Sequence, residues 1–106
     1  MENKLSGLLG IAVRARKVLF GDSAYEKLSS KEASLLIISD DASDRTLKQL
    51  ENRANYYNVE FVVVEDLLLN QATGKTTAKY CLIIDRGFSK GILDICRKRW
   101  RYGEKF

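Results

Sequence analysis

The sequence predicts an α/β protein: a three-layer α/β/α sandwich in a single domain, residues 1–106, built on a four-stranded mixed sheet. Three observations carry this. Helical patterns alternate with short apolar runs along the whole chain, the order that places helices on the faces of a sheet. The runs Ser34–Ser39 (SLLIIS) and Glu60–Val64 (EFVVV) are apolar without alternation, as strands covered on both faces are. The length of 106 residues, with 45% hydrophobic and 30% charged, suits one soluble domain with its own core.

Each element follows from local pattern. Leu5, Leu8, Leu9 and Ala12 recur at helical spacing and predict a helix over 3–14. Val18-Leu19-Phe20 is a very short strand that stops at Gly21, and Asp22 or Ser23 caps a helix running to about Ser30. After the strand Ser34–Ser39, Asp40–Ser43 is a loop and Ser43 caps a helix over about 44–57. Its Leu47, Leu50, Ala54 and Tyr57 share one face, and Asn58 ends it. Glu60–Val64 is β-branched, a short helix over about 66–71 follows, and Thr73–Thr77 is a turn-rich loop before the last strand, Lys79–Ile84. Phe88, Ile92 and Ile95 mark a C-terminal helix that begins near Asp85–Gly87. Proline is absent, so turns rest on Gly, Asn, Asp and Ser. Parallel pairs joined by right-handed crossovers are expected, with one or two antiparallel pairs at the first short strand.

Composition narrows the function. There is no histidine, which removes the commonest general base and the commonest metal ligand and argues against an enzyme. Cys81 and Cys96 match no zinc or redox spacing, so they are expected as reduced core residues. No cofactor, metal or small-molecule substrate is expected. No apolar run approaches the roughly 20 residues of a membrane span, and Met1–Lys4 lacks a signal-peptide pattern, so the expected location is cytoplasmic. Gly74-Lys75-Thr76 suggests a phosphate loop, but such a loop needs a glycine at position 69, where Leu stands, and a helix afterwards, where a strand is predicted. The acids Asp40, Asp41 and Asp44 follow a strand and offer Mg²⁺ ligands. A helix start whose acids complement the macrodipole is the preferred reading.

Charge is unevenly placed. Net charge is +4, with +3 over residues 1–17, −3 over 18–96 and +4 over 97–106. If the two ends meet, they make a basic patch suited to a polyanion. The basic helix end and tail from about 97, Arg97–Lys105, interleaves cations with Trp100 and Tyr102. It reads either as a nucleic-acid contact or as a solvated helix end. The segment RARKVLFGDSAYEK, Arg14–Lys27, is the strongest candidate site. Gly21 permits a tight turn and close approach of a ligand. The first amides of the next helix point outward, ready for phosphate or base-edge acceptors. Arg14, Arg16 and Lys17 flank that turn, provided that the first helix packs beside it. An ordinary capped helix among surface cations fits the same residues.

Four stretches, taken together, resemble the superfamily of large-subunit ribosomal proteins that bind kink-turn RNA, most closely its short bacterial YlxQ-type branch. They are GLLGIAVRARKVLFG at Gly7–Gly21, LLIISDDAS at Leu35–Ser43, NYYNVEF at Asn55–Phe61 and ATGKTTAKYCLIID at Ala72–Asp85. The likeness covers about residues 5–95 and implies the fold already inferred. It also implies an RNA site where the glycine-led helix start meets the loop before the last strand. Gly21 and Lys27 match the family's glycine and lysine, with Asp22 between them. Ser23 and Ala24 stand where the family carries Asn and Glu, which help read sheared G·A pairs. Ser23 makes at most a shorter hydrogen bond and Ala24 none. Lys27, the backbone amides and shape recognition are left. Gly74, Lys75, Thr76 and Thr77 match the family's second contact, a loop supporting a flipped-out base. It is polar here, with Lys75 available for phosphate. Asp40 and Asp41 match an acidic pair that positions the site.

The resemblance therefore implies a non-catalytic bacterial ribonucleoprotein component in translation. Its partner would be structured RNA, kink-turn or internal loop, with ribosomal RNA among the candidates. The alternative is a ribosome-associated protein-interaction module without direct, specific RNA binding, favoured by the missing Asn and Glu.

Overall fold

A computed structural model describes residues 4–74 and 79–99, the side chains of 97–99 excepted. The elements run α1 (Lys4–Arg14), β1 (Val18–Phe20), α2 (Gly21–Lys27), β2 (Leu35–Ser39), α3 (Asp44–Tyr56), β3 (Glu60–Val64), α4 (Asp66–Thr73), β4 (Tyr80–Ile83) and α5 (Arg86–Arg99). The sheet order is β1-β4-β2-β3. Successive side chains of β2 point to opposite faces. Leu35 and Ile37 pack with Leu5, Leu9, Leu69 and Ile92 from α1, α4 and α5. Leu36 and Ile38 pack with Ala24, Leu28, Leu50 and Ala54 from the α2 and α3 side. The three layers are those expected, and the unbroken apolar run of β2 has this two-sided burial as its cause.

The sheet departs from expectation in one respect. Only β2 and β3 are parallel, joined through α3. β4 is antiparallel to both neighbours, β1 and β2. The physical reason lies in α4. It has eight residues, about 12 Å of helix, and the chain must pass from β3 across β2 to β4, two strand spacings or about 9.6 Å. The chain comes back to the sheet at the end where β3 left it, so β4 runs against β2.

Two helices end in the same hydrogen-bonded turn. After α1, Arg16 has φ +61°, its amide donates to Val13 O at 3.0 Å, and the Lys17 amide donates to Ala12 O at 3.0 Å. After α3, Asn58 has φ +58°, its amide donates to Asn55 O, and the Val59 amide donates to Ala54 O at 2.8 Å. Both are Schellman turns. Asn58 is a recognised substitute for glycine there. Arg16 is not, and its left-handed backbone is strained by comparison. α2 begins at Gly21, two or three residues earlier than expected, after Phe20 and without a side-chain cap. Neither Asp22 nor Ser23 caps it, because both already lie in the first turn. It ends at Lys27, short of Ser30. Ser43 does cap α3, accepting from the Thr46 amide at 3.1 Å.

Because both sheet faces are buried, Leu36→Ala and Ile37→Ala should each lower the unfolding free energy by about 2–5 kcal/mol. Urea titration measures this, and a loss confined to one of the two variants would mean that only one face is packed.

Candidate RNA interface

One end of the sheet gathers the functional candidates. β1 ends there at Phe20, β2 at Ser39 and β3 at Val64, and β4 begins there at Tyr80. Phe20 pairs with Cys81 and Ile38 with Tyr80. The entrance of α2 therefore lies beside the start of β4, where the chain arrives from 75–78. Tyr80 reports the same proximity: partial burial raises its phenol above the ordinary value, and the Asp22 carboxylate and Tyr25 raise it further.

Gly21 has φ +57°, and a Cβ built there would meet no atom within 4 Å. The backbone angle favours glycine, and among the described residues the space above it is open. From Gly21 the α2 side chains divide by helical period. Ala24 and Leu28 are fully buried in the core. Ser23 and Lys27, four apart, share an exposed face. The Lys27 side chain leans back toward the helix start, as helical side chains do. Ala24 thus faces the core between α2 and the sheet.

A polar network holds the neighbouring corner. Ser39 is fully buried, and its Oγ donates to Asp66 Oδ1 at 2.6 Å while accepting from the Asp41 amide at 3.0 Å. Lys79 Nζ bridges Asp41 Oδ2 at 2.7 Å and Asp66 Oδ1 at 3.3 Å. Asp40 Oδ1 accepts from the Asp66 amide at 3.1 Å, capping α4, and Asn70 Nδ2 donates to Asp66 Oδ2 at 3.0 Å. The Ser39 amide donates to Lys79 O at 2.7 Å, so both backbone and side chain of Lys79 are tied. Sequence reading singled out Asp40 and Asp41 but missed Ser39, Asp66, Asn70 and Lys79. A serine ending an apolar strand, followed by acids, was the available signal.

Not every predicted residue reaches this corner. Lys17 precedes β1 and Gly21 follows it, so their Cα atoms stand four strand steps apart, about 13 Å. Lys17 lies near Ile84, whose amide donates to Lys17 O at 2.9 Å, at the far end of β1. Arg16 is beside it. Arg14 folds back along α1: the place where Gly10 would carry a Cβ is 3.8 Å from an Arg14 Nη atom and 3.5 Å from the Ala72 carbonyl oxygen. Arg14, Arg16 and Lys17 are exposed, and Arg16 and Lys17 stand at the end of β1 away from the Gly21 turn. Gly74, at φ +71°, ends α4, with its amide donating to Asn70 O at 2.8 Å. Lys75, Thr76 and Thr77 lie outside the described residues, as do the side chains of the basic stretch from 97. Asp22 is exposed at the turn. Among the described residues no group of His, Cys, Asp or Glu is placed to hold a metal ion. No described helix is long and apolar enough to cross a membrane. Cys81 and Cys96 are buried and not joined in a disulfide, and burial pushes the Cys81 thiol up to about 12.

A four-stranded sheet between helices, with a glycine-led helix start beside the last strand, defines the class: a small α/β/α protein with an open turn at one end of its sheet. Residues 3–93 match the ribosomal protein L7Ae/L30e/S12e/Gadd45 family, and the chain belongs to it; the family is non-catalytic. The chain is 33% identical to RNA-binding protein YlxQ of Bacillus subtilis (strain 168), over 83% of this chain and 90% of that one. It is 30% identical to RNA-binding protein YlxQ of Enterococcus faecium, over 82% and 85% respectively. Among solved structures, a protein of unknown function from Bacillus halodurans C superposes with TM-score 0.85 at 31% identity, covering 91% of this chain and 99% of that one. The Giardia lamblia 15.5kD RNA binding protein shares the fold, with TM-score 0.71 at 16% identity, over 92% and 89%.

The Ser39 hydroxyl holds the Asp66 carboxyl below its ordinary range, helped by Lys79 and Asn70 and opposed by partial burial. A depressed carboxyl stabilises the fold fully above its unfolded pKa and stops doing so as pH falls through the folded value. Asp66→Asn should therefore be less stable than wild type at neutral pH, with the gap closing below about pH 4. Urea midpoints across that range check this, and a gap independent of pH would exclude the carboxylate as its source.

Proposed function

We propose that this protein binds structured RNA without catalysis and selects a sharply bent, kink-turn or internal-loop conformation. The observation that carries the reading is the Gly21 turn: a left-handed glycine with open space above it, beside the start of β4 and at the head of a helix that no side chain caps. Family membership and the relatives named RNA-binding protein YlxQ support it. In this reading the kink settles on the Gly21 turn. The α2 amides and Ser23 meet base edges, and Lys27 leans toward them from the same face. Gly74, Lys75, Thr76 and Thr77 supply the second contact. Asp40 and Asp41 position the corner through α4 and Lys79. Arg14, Arg16 and Lys17 touch phosphates further along the bent duplex, where contact adds affinity but carries no sequence information. Ribosomal RNA is a fitting partner class, and translation in a bacterial cytoplasm a fitting setting.

Binding then captures a bent conformer that free RNA populates only in part. A kink-turn RNA should bind at least about tenfold more tightly than a straight duplex of the same composition, a difference of about 1.4 kcal/mol. Gel shift and FRET between the RNA ends measure affinity and bending together, and equal affinity for the two RNAs would defeat shape selection. Lys27→Ala should weaken the kink-turn complex by about 1–3 kcal/mol if it contacts a base edge. An unchanged dissociation constant would remove Lys27 from the interface.

A further inference from the structure

A second surface lies on the outer face of α2 and α3. Tyr25, Gln49, Asn52, Arg53, Tyr56 and Tyr57 line a recess of about 520 Å³, within the roughly 300–1,000 Å³ of small-ligand pockets. The Arg53 guanidinium carbon lies 4.3 Å from the Tyr25 ring centre and 5.2 Å from that of Tyr57. Its Nε donates to Tyr25 O at 3.0 Å. A long side chain restrained in three ways loses little further freedom when something binds. Tyr56 meets Tyr57 edge-on, with centroids 4.9 Å apart and an interplanar angle of 89°. The Tyr56 ring is nevertheless 79% exposed, so it adds little to the core. The Gln49 and Asn52 side chains make no hydrogen bond among the described residues.

We infer that this recess holds an unpaired RNA nucleobase from a strand flanking the bent element. Aromatic rings and a fixed guanidinium plane are stacking surfaces for a base. Side-chain amides present donor and acceptor together, as needed for a base edge. The lining contains no carboxylate to repel phosphate and no aliphatic residue to receive the apolar anchor of a protein partner. The recess adjoins the proposed interface across α2: Tyr25 belongs to the helix that Gly21 opens, on the side away from Ser23 and Lys27. The inference rests on the RNA-binding reading and extends its site from the kink to the adjoining single strand.

The test compares two RNAs, a kink-turn duplex and the same duplex with a six-nucleotide single-stranded extension carrying 2-aminopurine. Wild-type protein should bind the extended RNA about 5- to 150-fold more tightly, the range expected for one stacked base, and quench the 2-aminopurine. Tyr56→Ala, at an exposed position, should bind the unextended RNA as wild type does and lose both the gain and the quenching. Wild-type binding that ignores the extension overturns the nucleobase site and leaves the kinked-RNA reading standing. Binding of neither RNA overturns both. A gain that survives in Tyr56→Ala, or a recess that captures a protein partner with no effect of the extension, also overturns it.

Discussion

The Lys79 ammonium is the point at which this architecture is tied. It lies between Asp41, which follows β2, and Asp66, which opens α4, while its own backbone continues the β2–β4 ladder. The Asp41 carboxylate is the main influence holding its proton more firmly than an isolated lysine would. Beneath it, Ser39 is buried with its hydroxyl fully engaged. A buried hydroxyl without partners costs about 1–3 kcal/mol, so the network is held together by what its loss would expose. Exposed ion pairs alone contribute little. Their value here is positional: the pairs fix where the chain enters β4, and hence what stands beside Gly21.

The Gly21 turn depends on that placement from the other side. A helix normally starts with a polar cap that satisfies an early amide. α2 starts with Phe20 and a left-handed glycine instead. The helix is short, and Ala24, Leu28 and the contact of Arg53 with Tyr25 hold it in place. Stability supplied by packing leaves the helix entrance with no side chain closing it. Ala24 shows the trade at one position: a methyl group wholly in the core, where the resemblance implies a glutamate reading RNA.

The layers were legible because burial writes itself into the residues. SLLIIS and EFVVV have no polar face to present, so both faces had to be covered, and they are. Ser43 and Asn58 were read correctly, one as a helix cap and the other as the residue that ends the helix. Strand direction was not legible in the same way. An apolar strand has the same composition whether parallel or antiparallel, and β4 was decided by the end of the sheet to which α4 returns the chain. The reach of the cations was also hidden. Arg16 and Lys17 are close to Gly21 in sequence, but an extended strand separates neighbours faster than any other element. Ser39 and Asp66 were missed because their pairing spans 27 residues, and the local signal, a serine ending an apolar strand before acids, does not name the distant partner.

The separation of charge from the turn bears on how recognition would operate. The described corner is rich in carboxylates, with Asp22, Asp40, Asp41 and Asp66 set against Lys79. Asp41 and Asp66 are occupied with that lysine and Asp40 with a helix amide, so their field is partly spent inside the protein. A straight duplex would bring its regularly spaced phosphates to this corner and gain little. A kinked RNA presents base edges at the turn instead and carries its phosphates outward along its arms. Uniformly basic surfaces favour any polyanion. A turn with few cations beside it among the described residues, flanked at a distance by Arg16 and Lys17, would reward the RNA that bends. Discrimination would then come from where the protein withholds positive charge as much as from where it supplies it.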